Sequence, residues 1–297
     1  MRHAILGAGG VGGLIGAVLA KYGDHVTLVV RPERLGTQPH QLSLQSTFGK
    51  FTVPVSVISE VMDPFDILWV TTKATQLETA LGSIRSAAGI HTVVPLLNGV
   101  DHVQFLRERF GHDRVVPATI SVESERVAPG QIAHRSPFVR FNAASIGKHA
   151  LEPVTQKFTK FGFECKFIDN EATLLWSKLV FLAPLALSGT AAGTPIGAIK
   201  ENPASNAKLE EAVREVGAVA TASGATVDVE GVLNVIRELP GAMQSSMQKD
   251  VAAGRQPELD AIAGPIVRGA DAHGIKVPVI NEYVAEIKAR LREHPPA

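Results

Sequence analysis

The first residues of the chain suited to chemistry are the glycines of the run Gly7-Ala8-Gly9-Gly10-Val11-Gly12. A short apolar stretch, residues 2–6, precedes them, and an amphipathic stretch with helical spacing follows. Strand, tight turn and helix N-terminus in this order aim unpaired backbone N–H groups at a phosphate. Gly7 would permit the turn, Gly9 would let a pyrophosphate approach, and Gly12 would let the helix pack on the strand. The run predicts a dinucleotide-binding turn, and the alternative is an incidental glycine turn.

The residue after the second apolar strand discriminates between dinucleotides. The strand at 25–30 is followed by Arg31, and Arg34 lies three residues further on. An acidic residue at this point would accept a hydrogen bond from the ribose 2′-hydroxyl of NAD, whereas an arginine accommodates the 2′-phosphate of NADP. Arg31 offers a bidentate, permanently charged partner for phosphate, and Arg34 can assist it. The chain is predicted to bind NADP(H); the alternative is an ordinary solvated arginine beyond a strand.

Lys178 is the charged residue of the run 174–182, which is apolar on almost every helical face. A helix that is apolar all round is usually buried, and a buried ammonium needs a partner. Burial would lower the pKa of this lysine and a nearby carboxylate would raise it. The alternative is a lysine whose stem reaches out to solvent. The run alone leaves both interpretations open.

Other polar residues have plain structural explanations beside chemical ones. Lys73 and Asn98 each follow an apolar strand, at the sheet edge where ligands of open α/β folds bind, but they also fit ordinary loop residues. Ser246 fits a hydroxyl on a helix surface, and Glu258 fits a solvated acid in the first turn of a helix. The single cysteine, Cys165, excludes an intrachain disulfide and fits a small strand residue better than a nucleophile. No metal site is predicted.

The composition excludes several classes of function. The chain has 297 residues, 45% of them hydrophobic, a length that favours two domains. Its 29 basic and 29 acidic residues cancel without a basic run, so neither nucleic acid nor an anionic membrane is an expected partner. Prolines and glycines break the uncharged stretch 179–199, which predicts a buried helix and turn instead of a membrane span. No signal-peptide pattern precedes the first strand, which predicts a cytoplasmic protein.

The elements that must position these residues alternate between strand and helix in the first half of the chain. Continuous apolar strands between helices predict a mainly parallel sheet covered on both faces. A polar strand pair is expected at 41–46 and 50–57, and a helix from about Thr75 to Ser86. Segments around 115–122, 131–134 and 139–146 predict an antiparallel extension of the sheet.

From about Asp169 onward the strand pattern vanishes and helical patterns dominate. The fold class is therefore predicted as α/β. Residues 1–169 are expected to form a Rossmann-type, NADP-binding domain, and residues 170–297 an all-helical domain, to which the family resemblance described below assigns substrate binding and dimerisation.

With these features in order along nearly its whole length, the chain resembles the ketopantoate reductase (2-dehydropantoate 2-reductase) family. The residues that carry the resemblance are Gly7-Ala8-Gly9-Gly10-Val11-Gly12, Arg31, Thr72-Lys73, Leu97-Asn98-Gly99-Val100, Pro129-Gly130, Leu175-Trp176-Ser177-Lys178-Leu179, Ser245-Ser246-Met247-Gln248-Lys249-Asp250 and Glu258. The resemblance implies NADPH-dependent reduction of a 2-keto acid, with the active site in the cleft between a Rossmann domain and a helical domain. It also implies a homodimer formed through the helical domain.

The resemblance assigns roles residue by residue. Lys178 matches the family's proton donor, Glu258 its active-site glutamate and Ser246 a serine that contacts substrate. Lys73 could reach an oxygen of cofactor or substrate, and Asn98 could hold the nicotinamide side and the substrate.

The chain departs from the family at Leu182, Ala186 and Ile196, where family members carry asparagines that grip the substrate. Each lost hydrogen-bond partner should cost about 1–3 kcal/mol with a small polar acid. The chain is therefore expected to reduce a more apolar 2-oxo acid or ketone than ketopantoate. Two alternatives are a true 2-dehydropantoate 2-reductase of pantothenate biosynthesis, and an NADP-binding regulator without turnover.

Overall fold

The computed structural model describes residues 1–296, which group into two compact units. The first unit comprises Met1–Leu97 and His102–Asp169. The second comprises Asn98–Asp101 and the chain from Asn170 onward. A short segment that lies early in the sequence therefore belongs structurally to the second unit.

The first unit contains all the strands found in the described residues, together with the first helices. The strands are β1 (Arg2–Leu6), β2 (His25–Val29), β3 (Gln41–Ser46), β4 (Gly49–Pro54), β5 (Ser56–Ile58), β6 (Phe65–Val70), β7 (Ile90–Pro95), β8 (Ala118–Ser121), β9 (Ser124–Ala128), β10 (Gln131–His134), β11 (Arg140–Ala144) and β12 (Glu164–Ile168). The helices are α1 (Gly10–Lys21), α2 (Leu77–Leu81), α3 (His102–Phe110) and α4 (Lys148–Phe161).

A parallel sheet of order β5-β2-β1-β6-β7 forms the centre of this unit, as the continuous apolar strands predicted. Its central strands are almost wholly buried, which is typical of a parallel sheet covered on both faces. The chain leaves β1 towards β2 on one side and later adds β6 on the other. The topological switch point, where open α/β sheets bind ligands, therefore lies between β1 and β6.

The predicted antiparallel extension of this sheet is wrong. The strands β8 and β11 do pair antiparallel, as do β9 and β10, but they belong to two separate sheets of order β12-β11-β8 and β4-β3-β10-β9. An alternating pattern identifies a strand without identifying its partner. Cys165 lies in β12 and is half-buried, as expected of a strand residue.

The helix expected from about Thr75 to Ser86 is shorter than predicted. A 3₁₀ turn at Ala74–Gln76 leads into α2, which ends at Leu81. Beyond it the chain turns so that Ile84 forms a parallel bridge with Val61. The extended backbone that this bridge requires is incompatible with a helix that continues to Ser86.

A buried chain of polar side chains connects β1 to its neighbours. The indole nitrogen of Trp69 donates to Nδ1 of His3 (3.2 Å), so Nε2 of His3 carries a proton and donates to Asp24 (3.1 Å). Lys157 of α4 donates to the same carboxylate at 2.6 Å. The N-terminal ammonium of Met1 also donates to this carboxylate, at 2.9 Å. Burial alone would raise the pKa of Asp24, but the hydrogen bonds from His3, Lys157 and the N-terminal ammonium outweigh it and hold that pKa well below its usual range.

Replacing Asp24 with asparagine is expected to lower the free energy of unfolding at pH 7 by about 3 kcal/mol, because three donors lose a buried carboxylate. The stability that the carboxylate contributes is present above its unfolded pKa of about 4 and is lost as the pH falls through the folded pKa. Urea unfolding of both proteins at pH 7 and pH 3 should therefore show a smaller difference at pH 3. The exposed Asp63, changed to asparagine, is the matched control. Equal stability of the Asp24 variant and wild type at pH 7 would contradict the network.

The second unit is helical throughout the part that the structure describes. Its helices are α5 (Glu171–Ala192), α6 (Ile196–Glu201), α7 (Pro203–Ala222), α8 (Val229–Arg237), α9 (Ser246–Ala252), α10 (Leu259–His273) and α11 (Pro278–Glu293). Their buried faces form a core centred on α5 and α7.

The helix α5 is long and apolar enough to cross a membrane by length and composition, yet 67% of its most apolar window is buried inside the protein. Asn170 caps its start, because the Asn170 side chain accepts a hydrogen bond from the N–H of Thr173, and Gly193, with a φ of 70°, caps its end. A turn then leads into α6. The buried helix and turn predicted for this stretch are thus confirmed.

Candidate active site

The glycine turn between β1 and α1 has the geometry of a phosphate cradle. Gly7 has a φ of 103°, and a Cβ at Gly12 would lie 2.3 Å from the carbonyl oxygen of Gly7. At Gly9, by contrast, a Cβ would meet no atom within 4 Å. No side chain caps the N-terminus of α1. Open space therefore lies beside uncapped amides, an arrangement that fits a dinucleotide pyrophosphate.

Thr71, which follows β6, holds this turn in place. Its hydroxyl donates to the carbonyl oxygens of Leu6 (3.1 Å) and Gly7 (2.7 Å), and its N–H donates to Leu6 at 2.9 Å. The turn after β1 and the end of β6 are thus joined across the switch point. Sequence reasoning missed Thr71, because a hydrogen bond to a backbone carbonyl leaves no pattern beyond a threonine at a strand end.

The predicted cofactor residues lie at the carboxyl ends of neighbouring strands. The exposed Arg31 follows β2 and caps the 3₁₀ turn Pro32–Arg34. The half-buried Lys73 follows β6 and caps the turn Ala74–Gln76. Because β2, β1 and β6 are adjacent and parallel, these residues and the glycine turn share one edge of the sheet.

The strand β9 lies directly against the start of α1. The hydroxyl of Ser124 donates to the carbonyl oxygen of Gly10 at 2.8 Å. A Cβ at Gly10 would lie 2.0 Å from the carbonyl oxygen of Ser124, so only glycine permits this approach. Further along α1, a Cβ at Gly13 would lie 2.3 Å from the side chain of Ile132 on β10. Nothing in the sequence indicated this contact.

In the second unit, Lys178 stands at one end of a three-residue hydrogen-bonded network. Its ammonium donates to Oδ1 of Asn98 (3.1 Å), and Nδ2 of Asn98 donates to Oε2 of Glu258 (3.1 Å). The ammonium is a donor and the ionised carboxylate an acceptor, so the orientation of the Asn98 amide is fixed. Three segments that are far apart in the sequence thus meet at one lysine.

The backbone around Asn98 explains how it reaches this position. Gly99 has a φ of 84°, and a Cβ there would lie 2.1 Å from the carbonyl oxygen of Ala261 in α10. Asp101 forms an ion pair with Arg268 of the same helix at 2.6 Å. Glu258 directly precedes α10. The segment that carries Asn98 is therefore held against the helix whose start carries Glu258.

Comparison with known proteins identifies the family. A family model described as ketopantoate reductase PanE/ApbA matches residues 3–145, and one described as ketopantoate reductase PanE/ApbA C terminal matches residues 171–291. The chain belongs to the ketopantoate reductase family. As a member, it is an NADP(H)-dependent oxidoreductase that acts on a CH–OH group.

Individual relatives match the chain over nearly its full length. A 2-dehydropantoate 2-reductase from Caulobacter vibrioides is 31% identical, with 96% of this chain and 98% of the relative covered. One from Halobacterium salinarum is 27% identical, covering 99% and 100%.

Solved structures of similar proteins share the fold. A PanE/ApbA family ketopantoate reductase from Ralstonia eutropha has a TM-score of 0.85 at 26% identity, covering 99% of both chains. A D-mandelate dehydrogenase solved with NADH and anilino(oxo)acetate also has a TM-score of 0.85 and covers 99% of both chains. At 21% identity, the latter likeness shows the fold alone.

The surroundings of Lys178 in this ketopantoate reductase family member shift the pKa of its ammonium. Burial lowers the pKa of its ammonium to about 8, and attraction by the charge of Glu258 limits the drop. At neutral pH the lysine is therefore mostly protonated, and it still releases its proton more readily than an exposed lysine.

The remaining predicted substrate residues differ in their exposure to solvent. Ser246 is exposed at the first position of α9. Ala186 and Ile196 are 0% and 5% exposed, respectively, and belong to the core of the helical unit. Leu182, one turn beyond Lys178, is half-exposed. Of the three positions that replace the family's asparagines, Leu182 therefore has the most accessible surface.

A buried glutamine was missed by sequence reasoning. Gln248 of α9 is 6% exposed, and its Oε1 lies 2.9 Å from where a Cβ of Gly189 would stand. Its Nε2 makes no hydrogen bond within the described residues. A buried amide donor therefore lies beside α5, the helix that carries Lys178.

Proposed function

We propose that this protein reduces the ketone of a 2-oxo acid or a related ketone with NADPH, and that Lys178 is the proton donor. The observation that carries the proposal is the hydrogen-bonded network of Lys178, Asn98 and Glu258. A lysine whose pKa is lowered to about 8 favours turnover over a regulator, because perturbed pKa values cluster at functional sites.

The residues of the network have separate tasks in the proposed reaction. NADPH, when bound, supplies the hydride that adds to the carbonyl carbon. The Lys178 ammonium hydrogen-bonds to the carbonyl oxygen and donates a proton as negative charge develops there, so that a hydroxyl forms. Asn98 holds the lysine through its Oδ1, and Glu258 both orients Asn98 and keeps the lysine protonated at neutral pH.

The glycine turn and the residues at the sheet edge are proposed to hold the cofactor. The uncapped amides at the start of α1 would bind the pyrophosphate, with residues Gly7 to Gly12 forming the turn. Arg31 would bind the 2′-phosphate, and Lys73 and Asn98 would contact the remainder of the dinucleotide.

The substrate is proposed to be more apolar than ketopantoate. Leu182 offers a half-exposed apolar surface one turn from Lys178, where an amide would suit a small polar acid. The second candidate is 2-dehydropantoate itself, which is favoured by the activity named for the relative that is 31% identical. Gln248 would then supply one of the missing amide donors.

We further propose that the first unit binds the cofactor and that the second binds the substrate, with Ser246 in contact with it. A homodimer formed through the helical unit, and a location in the cytoplasm away from membranes, complete the proposal.

A panel of 2-oxo acids and ketones tests the substrate assignment. NADPH oxidation followed at 340 nm should give a kcat/KM for branched or aromatic 2-oxo acids at least about tenfold above that for ketopantoate, since each lost hydrogen bond costs about 1–3 kcal/mol. A preference for ketopantoate would replace the first candidate with the second. NADPH binding without any turnover across the panel would contradict both.

A further inference from the structure

The strand β9 brings an arginine to the start of α1. Alternate residues of β9 face inward: Ser124, Arg126 and Ala128 are half-buried, whereas Glu125 and Val127 are exposed. Arg126 therefore shares a strand face with Ser124, whose hydroxyl is bonded to Gly10. It also pairs in register with Ile132, the residue that packs on Gly13. Arg126 thus lies beside the first turns of α1.

A second arginine lies close to Arg126. Arg34 ends the 3₁₀ turn that follows β2 and Arg31. Burial and repulsion by the charge of Arg34 lower the pKa of the Arg126 guanidinium. Burial is the larger of these two causes. The two arginines lie on different elements of the same unit, within electrostatic range of each other.

No acidic side chain neutralises this arginine pair. Neither Arg34 nor Arg126 forms an ion pair in the described part of the chain, and neither does Arg31. The adjacent acid on β9, Glu125, is paired with Arg135 at 3.4 Å. A half-buried guanidinium beside a like charge is unfavourable unless an anion joins it. A phosphate monoester has the charge and the oxygen geometry that two guanidinium groups bind best.

We propose that Arg126, together with Arg34, binds the 2′-phosphate of NADPH and is a specificity-determining residue for the cofactor. The inference rests on the NADPH-dependent function proposed above and adds a residue from β9 to the one expected at the tip of β2. The amides at the start of α1 are proposed to bind the pyrophosphate. The 2′-phosphate monoester is therefore the phosphate group of NADPH that remains for the arginine pair to bind. NADH lacks that phosphate and gains nothing from Arg126.

Cofactor affinities of arginine variants test the proposal. The dissociation constants of NADPH and NADH are measured by calorimetry for wild type, Arg126→Gln and Arg34→Gln. Arg126→Gln should weaken NADPH binding by about tenfold to hundredfold, the range for a lost hydrogen bond to a charged group. NADH binding should change less than about twofold. Arg126→Lys keeps the charge without the bidentate fork and should give an intermediate loss.

Arg135→Gln is the matched control, because Arg135 is an exposed arginine near β9 that is already paired with Glu125. It should bind both cofactors as wild type does. Equal loss of NADPH and NADH affinity in Arg126→Gln, or unchanged NADPH affinity, would overturn the proposal, provided the melting temperature shows a folded variant. If Arg126→Gln fails to fold, the same comparison of the losses in NADPH and NADH affinity is made with Arg126→Lys. Selective NADPH binding without turnover on any ketone would contradict the reductase function and still support the role of Arg126.

Discussion

Replacing Lys178 with methionine is expected to lower kcat for ketone reduction by about 10²–10⁴, the contribution of a positioned proton donor. Methionine keeps most of the length and apolar character of the stem, so the packing of α5 should be preserved. The affinity for NADPH should stay within about twofold of wild type, because apart from Asn98 the groups that are proposed to bind it, the uncapped amides, the arginines and Lys73, lie in the other unit. Steady-state kinetics and calorimetry on the same preparation measure the two quantities.

Lys276→Met serves as the matched control for this variant. Lys276 is an exposed lysine of the same helical unit and should leave kcat unchanged. Wild-type kcat in the Lys178 variant would remove the lysine from the mechanism. A parallel loss of NADPH affinity would indicate a structural role instead.

Changing Glu258 to glutamine is expected to lower kcat/KM at pH 9 by about tenfold, the effect of one unit in the pKa of Lys178 well above that pKa. A glutamine carbonyl can still accept the hydrogen bond from Nδ2 of Asn98, so the substitution mainly removes charge. Without that charge the pKa of Lys178 falls further below its present value of about 8. The alkaline limb of the pH profile for reduction should therefore move to lower pH.

The exposed Glu238, changed to glutamine, controls for the loss of one negative charge in the same unit. Its pH profile should coincide with that of wild type. An unshifted alkaline limb in the Glu258 variant would show that the carboxylate does not act on Lys178. Reduced activity with an unshifted limb would leave Glu258 a purely structural role.

The glycine turn could be predicted from the sequence because its signal is local. Strand, glycines and helix follow one another within about twenty residues, and Gly7, Gly9 and Gly12 have the conformation and space that the pattern requires. Thr71 and Ser124 could not be found in this way. Each bonds a backbone carbonyl of a segment far away in the sequence, and such a bond selects only for a small hydroxyl residue.

The surroundings of Lys178 show where local patterns stop being sufficient. The apolar run around this lysine indicated a buried helix but left its partner open. Asn98 follows an apolar strand, and this position predicted that it lies at the ligand-binding edge of the sheet and contacts the cofactor. The positive φ of Gly99 and its close approach to Ala261 also set the segment against α10, which the strand pattern did not predict. Tertiary packing therefore decided which side chain meets the ammonium.

The substrate expectation was also modified by packing. The residue types alone suggested that Leu182, Ala186 and Ile196 would together make the substrate pocket apolar. Ala186 and Ile196 are buried in the helical core, so their apolar side chains contribute to the stability of the fold. The residue types thus showed that three amide side chains are missing. Only the fold showed which of the three replacements is accessible.

The pH dependence of kcat/KM for ketone reduction by the wild-type protein tests the role of Lys178 most directly. Donation by a lysine with a pKa of about 8 predicts a constant value at lower pH and a fall of about tenfold per pH unit above that pKa. The fall should be absent from the residual activity of Lys178→Met. A wild-type profile that stays flat up to pH 10, or the same fall in the methionine variant, would contradict proton donation by Lys178.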